Sequence, residues 1–514
     1  MKLSLDAILE HEETRWSGVR ELLLVSFPII IAVGSNTVMS AVDAAMMGWL
    51  DSDVSSIHLA AIGPAAMLNS VMLSFFIGVL SCVNTFVGQS YGRGNYDNCS
   101  SYTWQGIHMS WIMALAVLIL WPLTPGMFSL INHSPAIQHL ETTYFRMRLL
   151  GIGGAVMTVA LSAFFQATSR PVIPMIAIVV SNVINFLGNY LLIFGNFGFP
   201  AMGIGGAALA SNIAAWFCAL AMMAVFLSHS YNGLYNSRRT WRLHSNKIRQ
   251  LFNVGWPAGL LMGMDAGSWT LFVAVLVGSF GDDALAAGVL TGNVLSGSFM
   301  PTIGLGIAVT ALVSQWIGRK NPERAKSRFK AGLVIGILYM TVMGLVFVVF
   351  GRQLANIFSD NPAVIALGRR FLIFAAAFQF VDATCIITSS ALKAAGDTRW
   401  PLVAGAICAW GIFLPLGYIL SFHTSLGVFG GWAAAVVYIY VLATALFLRF
   451  RSGKWKKINI FGHGELPYDA PEHNAEFPHA QDILPVQPTH AKDPAPLETS
   501  RLEEQDDSFS NTIN

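Results

Sequence analysis

The chain has 514 residues, 54% of them hydrophobic and only 11% charged, and its 30 Lys/Arg against 28 Asp/Glu leave a formal net charge of +2. Soluble domains carry roughly 25% charged residues, so the composition excludes a water-solvated globule. The near-neutral balance also leaves no basic footprint for nucleic acid.

In chain order, residues 1–21 come first, with Leu5, Ile8, Leu9 and Trp16 on one side of an expected interfacial helix. Glu10, Glu12 and Glu13 do not suit a cleavable leader. A spanning helix needs roughly 20 apolar residues, and twelve such segments follow: 22–49, 58–88, 103–126, 139–168, 171–196, 203–228, 249–279, 284–315, 330–356, 365–393, 399–422 and 426–450. Apolar runs of this length require helix rather than barrel strand. Residues 453–514 read as a tail: from 463 onward, seven prolines and eleven acids face two basic residues, the composition of disorder.

Of the 30 Lys/Arg, 23 flank the even-numbered connections and the two ends of the helical unit, and five flank the odd ones. By the positive-inside rule both termini are expected in the cytoplasm. The chain also repeats itself. VGQSYGRGN from Val87 lines up with VSQWIGRKN from Val313, Phe27-Pro28 with Trp256-Pro257, and Leu59-Ala60-Ala61 with Leu285-Ala286-Ala287. Each repeat holds an even number of helices, so both insert the same way up. The expected fold is therefore all-α and integral to the membrane: two six-helix lobes in parallel duplication, residues 22–228 and 249–452, joined by a basic linker at 229–248.

Polar groups inside the spans are the candidate functional residues. Asp43, Asp265 and Asp382 lie in otherwise apolar segments, with no Lys or Arg at comparable depth. A carboxylate in hydrocarbon costs about 2.5–3.5 kcal/mol on insertion scales, which marks it for function. Asp265 is eight residues beyond Pro257 in helix seven, and Asp382 is about seventeen residues into helix ten, which runs the opposite way, so the two acids fall at similar depth. Sharing one low-dielectric pocket, they would titrate as a coupled pair and could trade a proton or sodium ion for a cationic substrate. Gln379, one turn before Asp382, could complete a coordination shell. Helix eight adds Thr291, Asn293, Ser296 and Ser298, which either line the cavity or bond their own backbone. In the first half, Asn36 stands where Asp265 stands in the second. Asn182, Asn185 and Asn189 form a stripe on helix five, either a hydrated wall or a helix–helix seam.

The five cysteines show no C-x-x-C spacing, the histidines no metal-ligand spacing, and no G-x-x-x-x-G-K-[ST] loop is present. An ATP-driven pump and a membrane enzyme are thus not expected.

AVDAAMMG around Asp43, GWPAGLLMGMD ending at Asp265, FQFVDA around Asp382, the paired GRGN and GRKN turns and NFLGNYLLIFG after the asparagines resemble the multidrug and toxic compound extrusion (MATE) family, in its NorM-like branch. The resemblance runs over residues 22 to 450. It implies an antiporter that exports organic cations in exchange for sodium or protons, with two lobes around a central cavity. Asp265 and Asp382 would bind the coupling cation, with Phe378 and Gln379 beside them, and Asp43, Asn36 and the asparagine stripe would handle substrate or protons in the other lobe. Three positions depart from the family pattern. The helix-seven acid is typically Glu, here Asp265; the aromatic before the helix-ten acid is often Tyr, here Phe378; and relatives coupling through helix five carry Asp where this chain has Asn189. No cofactor beyond the coupling ion, a lipid bilayer around a monomer, and the cell's inner membrane are the remaining expectations. The alternative function is a lipid-linked oligosaccharide flippase of related architecture, which would call for cationic residues along the cavity.

Overall fold

In the computed structural model, residues 17–48, 52–129 and 134–462 are described. They form helices and connecting turns, with no strand among them. Lipid offers the backbone no hydrogen bonds, so chains this apolar must close their bonds within each segment. The helices are α1 (Ser17–Gly48), α2 (Ser52–Ser81, continued as Val83–Gly92), α3 (Tyr96–Leu118), α4 (Pro135–Ala167), α5 (Val172–Leu192) and α6 (Ile204–Phe226). Then come α7 (Ser245–Leu271, running on through Phe272–Val277), α8 (Asp282–Gly318), α9 (Pro322–Asn356), α10 (Pro362–Ala394), α11 (Arg399–Ala406, Ile407–Phe413 and Leu414–Phe422) and α12 (Val428–Arg451). Eleven are long and apolar enough to cross a membrane. The twelfth, α3, opens on the polar run Tyr96-Asp97-Asn98-Cys99-Ser100-Ser101.

The repeated turn has the same role in both copies. After α2, Gly94 adopts φ 71° and Asn95 caps α3 by accepting from the Asn98 amide at 3.1 Å. After α8, Lys320 adopts φ 60° and Asn321 caps α9 by accepting from Arg324 N at 3.0 Å. The left-handed position ends one helix and the asparagine starts the next.

The buried apolar residues fall into two large clusters. One runs from α2 through α6; the other runs through α7 to α12 and takes in Leu22, Val25 and Ile29 of α1. The halves meet at the end that carries the basic connections. There Gln89 of α2 donates to the carbonyl of Ala394 (2.9 Å), and Gln315 of α8 donates to that of Ala167 (2.8 Å). The two glutamines are equivalent in the repeat, and each reaches the end of the other half's fourth helix.

From this joint the halves splay apart. A Cβ built on Gly255 of α7 would stand 2.6 Å from the Val79 carbonyl oxygen and one on Gly259 2.5 Å from that of Phe75. On Gly263 the nearest first-half atom is at 3.9 Å, and on Gly267 only Trp410 of the same half is near. Helix α8 behaves alike: Gly304 packs on Ile30, whereas a Cβ on Gly297 or Gly292 would meet nothing within 4 Å. The glycines of α7, spaced every four residues, are a small-residue face that lets two backbones approach.

Two terminal expectations need comment. Of the interfacial helix expected over 1–21, residues 1–16 lie outside the described residues and 17–21 open α1 instead; the tail from 463 also lies outside them. Residues 453–462, expected to belong to that tail, are instead packed. Trp455 is buried, Phe461 lies under the Arg93 guanidinium (4.2 Å) and stacks edge-on with Phe86 and Tyr102, and Ile460 joins the first half's core. Four apolar side chains in ten residues, Ile458 included, outweigh the polarity that follows them.

Candidate functional site

In the second half, α7 carries Asp265 two turns past Pro257, and α10 carries Asp382. The two carboxyl groups lie within electrostatic reach of one another. Asp265 is exposed and Asp382 half-buried, both in the part of the bundle where the halves stand apart. Among the described residues neither makes an ion pair with a Lys, Arg or His. The Asp265 Oδ1 accepts a hydrogen bond from the Tyr438 hydroxyl of α12 at 3.1 Å. Aromatic rings wall this pocket: Trp269 packs on Phe378 (6.3 Å) and Phe413 (5.4 Å), and Phe413 on Phe272 (5.0 Å).

Two residues expected beside the acids look elsewhere. Gln379 is fully buried and donates to Ser298 Oγ of α8 at 2.8 Å, a link inside the half that leaves its amide oxygen without a protein hydrogen bond. Phe378 is 1% exposed, its ring against Trp269, so it presents no open face to a ligand. Thr291 donates to Ala287 of its own helix (2.7 Å), the backbone-bonding outcome, while Asn293 is exposed on α8.

In the first half, the asparagine stripe is a seam between α5 and α1. Asn182 donates to Ser35 Oγ (2.6 Å) and Asn36 Oδ1 (3.1 Å). The Asn185 amide, oriented to match its neighbours, donates to Asp43 Oδ1 (3.0 Å) and accepts from Ser211 N (3.1 Å). Asn189 donates to the same Asp43 oxygen. The expectation that no basic residue shares the depth of these acids fails here: Arg148 of α4 lies within electrostatic reach of Asp43. A sequence count of charges per span cannot show it, because Arg148 is three turns into a helix that begins at Pro135.

The halves therefore differ chemically. Asp43 accepts from two amides and has Arg148 within electrostatic reach; Asp265 accepts from one phenol, and Asp382 lies within electrostatic reach of Asp265. Charge-assisted bonds of the first kind stabilise a carboxylate without a ligand. The second arrangement leaves oxygen donors for a hard monovalent cation or for protons. No group of three or more His, Cys, Asp or Glu able to hold a metal occurs among the described residues, so the acid pair and phenol are the cation-binding chemistry available.

A family model described as MatE matches this chain twice, over residues 28–191 and 266–419. The chain belongs to the MatE family. The two matches follow the internal duplication: the first takes in Asn36, Asp43 and the asparagine seam, and the second begins one residue after Asp265 and takes in Asp382. A probable multidrug resistance protein NorM of Mesorhizobium japonicum is 31% identical over 473 residues, covering 90% of this chain and all of that one. The multidrug resistance protein NorM of Burkholderia vietnamiensis is 29% identical, covering 82% of this chain and 91% of its own. Among solved structures, a multidrug resistance MATE family transporter in an outward-facing conformation superposes with a TM-score of 0.79 at 17% identity, over 89% of this chain and all of that one. The eukaryotic MATE transporter AtDTX14 gives 0.77 at 20%, over 86% and 97%. This family member is thus a multi-pass membrane protein of the MATE transporter fold, and its family are transporters rather than enzymes.

Tyr438 and Arg148 are the residues sequence reasoning passed over. Tyr438 had one signal: a hydroxyl midway along an apolar span needs a buried partner. Arg148 had none beyond its charge.

Proposed function

We propose that this protein is a secondary antiporter that exports organic cations, including drugs, across the inner membrane in exchange for sodium ions or protons. The observation that carries this reading is the Asp265–Asp382 pair, two carboxyl groups within electrostatic reach on membrane-length helices with no described cation to balance them. The names of the relatives at 29–31% identity support the drug substrate. Inward movement of one charge supplies about 2.3 kcal/mol per 100 mV, which an alternating-access cycle can spend on outward movement of substrate.

The geometry supports an outward-open form. The halves touch at the basic end, which the positive-inside rule assigns to the cytoplasm, and part beyond Gly263, so substrate leaves and the coupling cation enters from the opposite end. Cation binding at the acid pair then competes with the bound organic cation for the same two carboxyl groups. A lipid-diphosphate flippase would need cations along the cavity, where this chain carries the Asp265 and Asp382 carboxyl groups instead.

Ethidium efflux from proteoliposomes, driven separately by a sodium and by a pH gradient, tests the reading. Wild-type protein should extrude ethidium against its own gradient under at least one drive, and Asp382→Asn should lose at least about tenfold in rate, equivalent to about 1.4 kcal/mol in the barrier. Efflux that only equilibrates ethidium, or that survives Asp382→Asn unchanged, would overturn it.

A further inference from the structure

The hydroxyl of Tyr438 is the one described side-chain donor to the Asp265 carboxyl. It arrives from α12, a helix with no acidic residue, and its ring is nearly fully buried. That ring lies flat on Phe413 (centroids 5.2 Å, planes 16° apart), and Phe413 packs on Phe272 at 5.0 Å.

Both partners sit in unusual backbone. Phe413 is the last residue of the π-helical turn Ile407–Phe413 in α11, and Phe272 is the first of the π-helical turn Phe272–Val277 in α7. These are the two π-turns among the described residues. In α11 the cause is legible: Pro415 cannot donate to the Gly411 carbonyl and its ring crowds it, and the wider turn relieves the conflict. Such turns concentrate at functional positions because the extra residue can shift along the helix. A single stack thus joins an acidic oxygen to both places where this half's backbone is least regular.

The stack also has a chemical reason to move. A phenol O–H donates to a carboxylate, and the same oxygen carries lone pairs. When Asp265 is ionised and empty, Tyr438 donates to Oδ1. When a cation or proton occupies Oδ1, that oxygen is a weaker acceptor, so the donor bond loosens and the phenol is free to turn its lone pairs to the newcomer. The titratable groups that face the phenol are Asp265 on α7 and Asp382 and Cys385 on α10, so the acids are what it reads. We propose that Tyr438 is a positioning residue that senses the occupancy of Asp265 and passes it through Phe413 and Phe272 to the two π-turns. This rests on the antiport reading above, and it adds a coupling element from a helix that carries no acid.

Tyr438→Phe removes the hydroxyl and keeps the ring, so the stack survives. In reconstituted full-length protein, the sodium concentration (or the proton concentration, whichever drives wild type) giving half-maximal ethidium efflux should fall about tenfold, because the empty carboxylate loses one hydrogen bond to a charged group. The maximal rate at saturating cation and the unfolding temperature should stay near wild type. Asp265→Asn with Tyr438→Phe should be no worse than Asp265→Asn alone, because the hydroxyl acts only through that carboxyl. An unchanged half-saturation would overturn the proposal, and so would a lowered maximal rate with unchanged half-saturation, which marks packing alone. If wild type shows no cation-driven efflux, the antiport reading falls and this inference with it. If wild type is coupled, Asp382→Asn is not and Tyr438→Phe titrates like wild type, only the role of Tyr438 fails.

Discussion

Asp43 and Asp265 occupy matching halves of one duplicated chain, yet their surroundings ask different things of them. Two asparagine amides bond Asp43, with Arg148 within electrostatic reach, so this acid ties α1 to α5. Asp43→Asn should therefore change the half-saturating cation concentration for ethidium efflux by less than about twofold, while lowering thermal stability by about 1–3 kcal/mol through the partners it leaves unmatched. A large shift in cation dependence would place coupling in the first half instead. The acids themselves were legible in the sequence, since a carboxylate in an apolar span stands out. Their partners were not: Asn189 is 146 residues from Asp43 and Tyr438 is 173 from Asp265. Helical spacing finds neighbours on one helix and is silent across helices, which is why Gln379, correctly placed one turn from Asp382, turns out to bond α8.

At the scale of elements, α2 with α8 and α2 with α7 make the joint. Gly92 and Gly318 each sit against the other strand of the contact, at the backbone of Gln315 and Gln89, where a side chain has no room. Gly318→Ala should force the basic end apart. Cys82, buried beside the Val254 carbonyl at 3.6 Å, is a native reporter of that opening. In protein retaining Cys82 alone among the cysteines, Gly318→Ala should raise its maleimide labelling rate by about tenfold, and equal rates would show that the joint absorbs the methyl group. Helix number and order were readable because hydropathy runs at bilayer length. The helix-two limit at 88 falls short of the observed Gly92, and helix seven begins at Ser245 rather than 249, since polar turns continue a helix past its apolar core.

For the whole molecule, the duplication was legible from VGQSYGRGN and VSQWIGRKN, and those stretches form the joint. The packed segment after α12 was not legible, because its anchoring residues are brief beside fifty acidic and proline-rich ones. Ile460 and Phe461 tie the end of the second half to the first half's core, Phe461 against Phe86 of α2 and Tyr102 of α3, while Trp455 anchors the segment on Phe450 of α12. Ending the chain at 462 should leave the unfolding temperature of purified protein unchanged. Ending it at 452 should lower stability by about 3–5 kcal/mol, the scale for losing one large buried aromatic; equal melting of the two truncated chains would remove the segment from any structural role.

The reciprocal glutamines carry one more meaning. Where the two copies clasp each other, at Gln89 with Ala394 and Gln315 with Ala167, they have kept the same residues and the same bonds. Where they face the cavity they have parted, amides and an arginine in one copy, naked acids in the other. A contact made twice with the same bonds loads the two halves evenly, whereas the acids sit in unlike surroundings. The duplicated chain is therefore symmetric where its halves join and asymmetric where they stand apart.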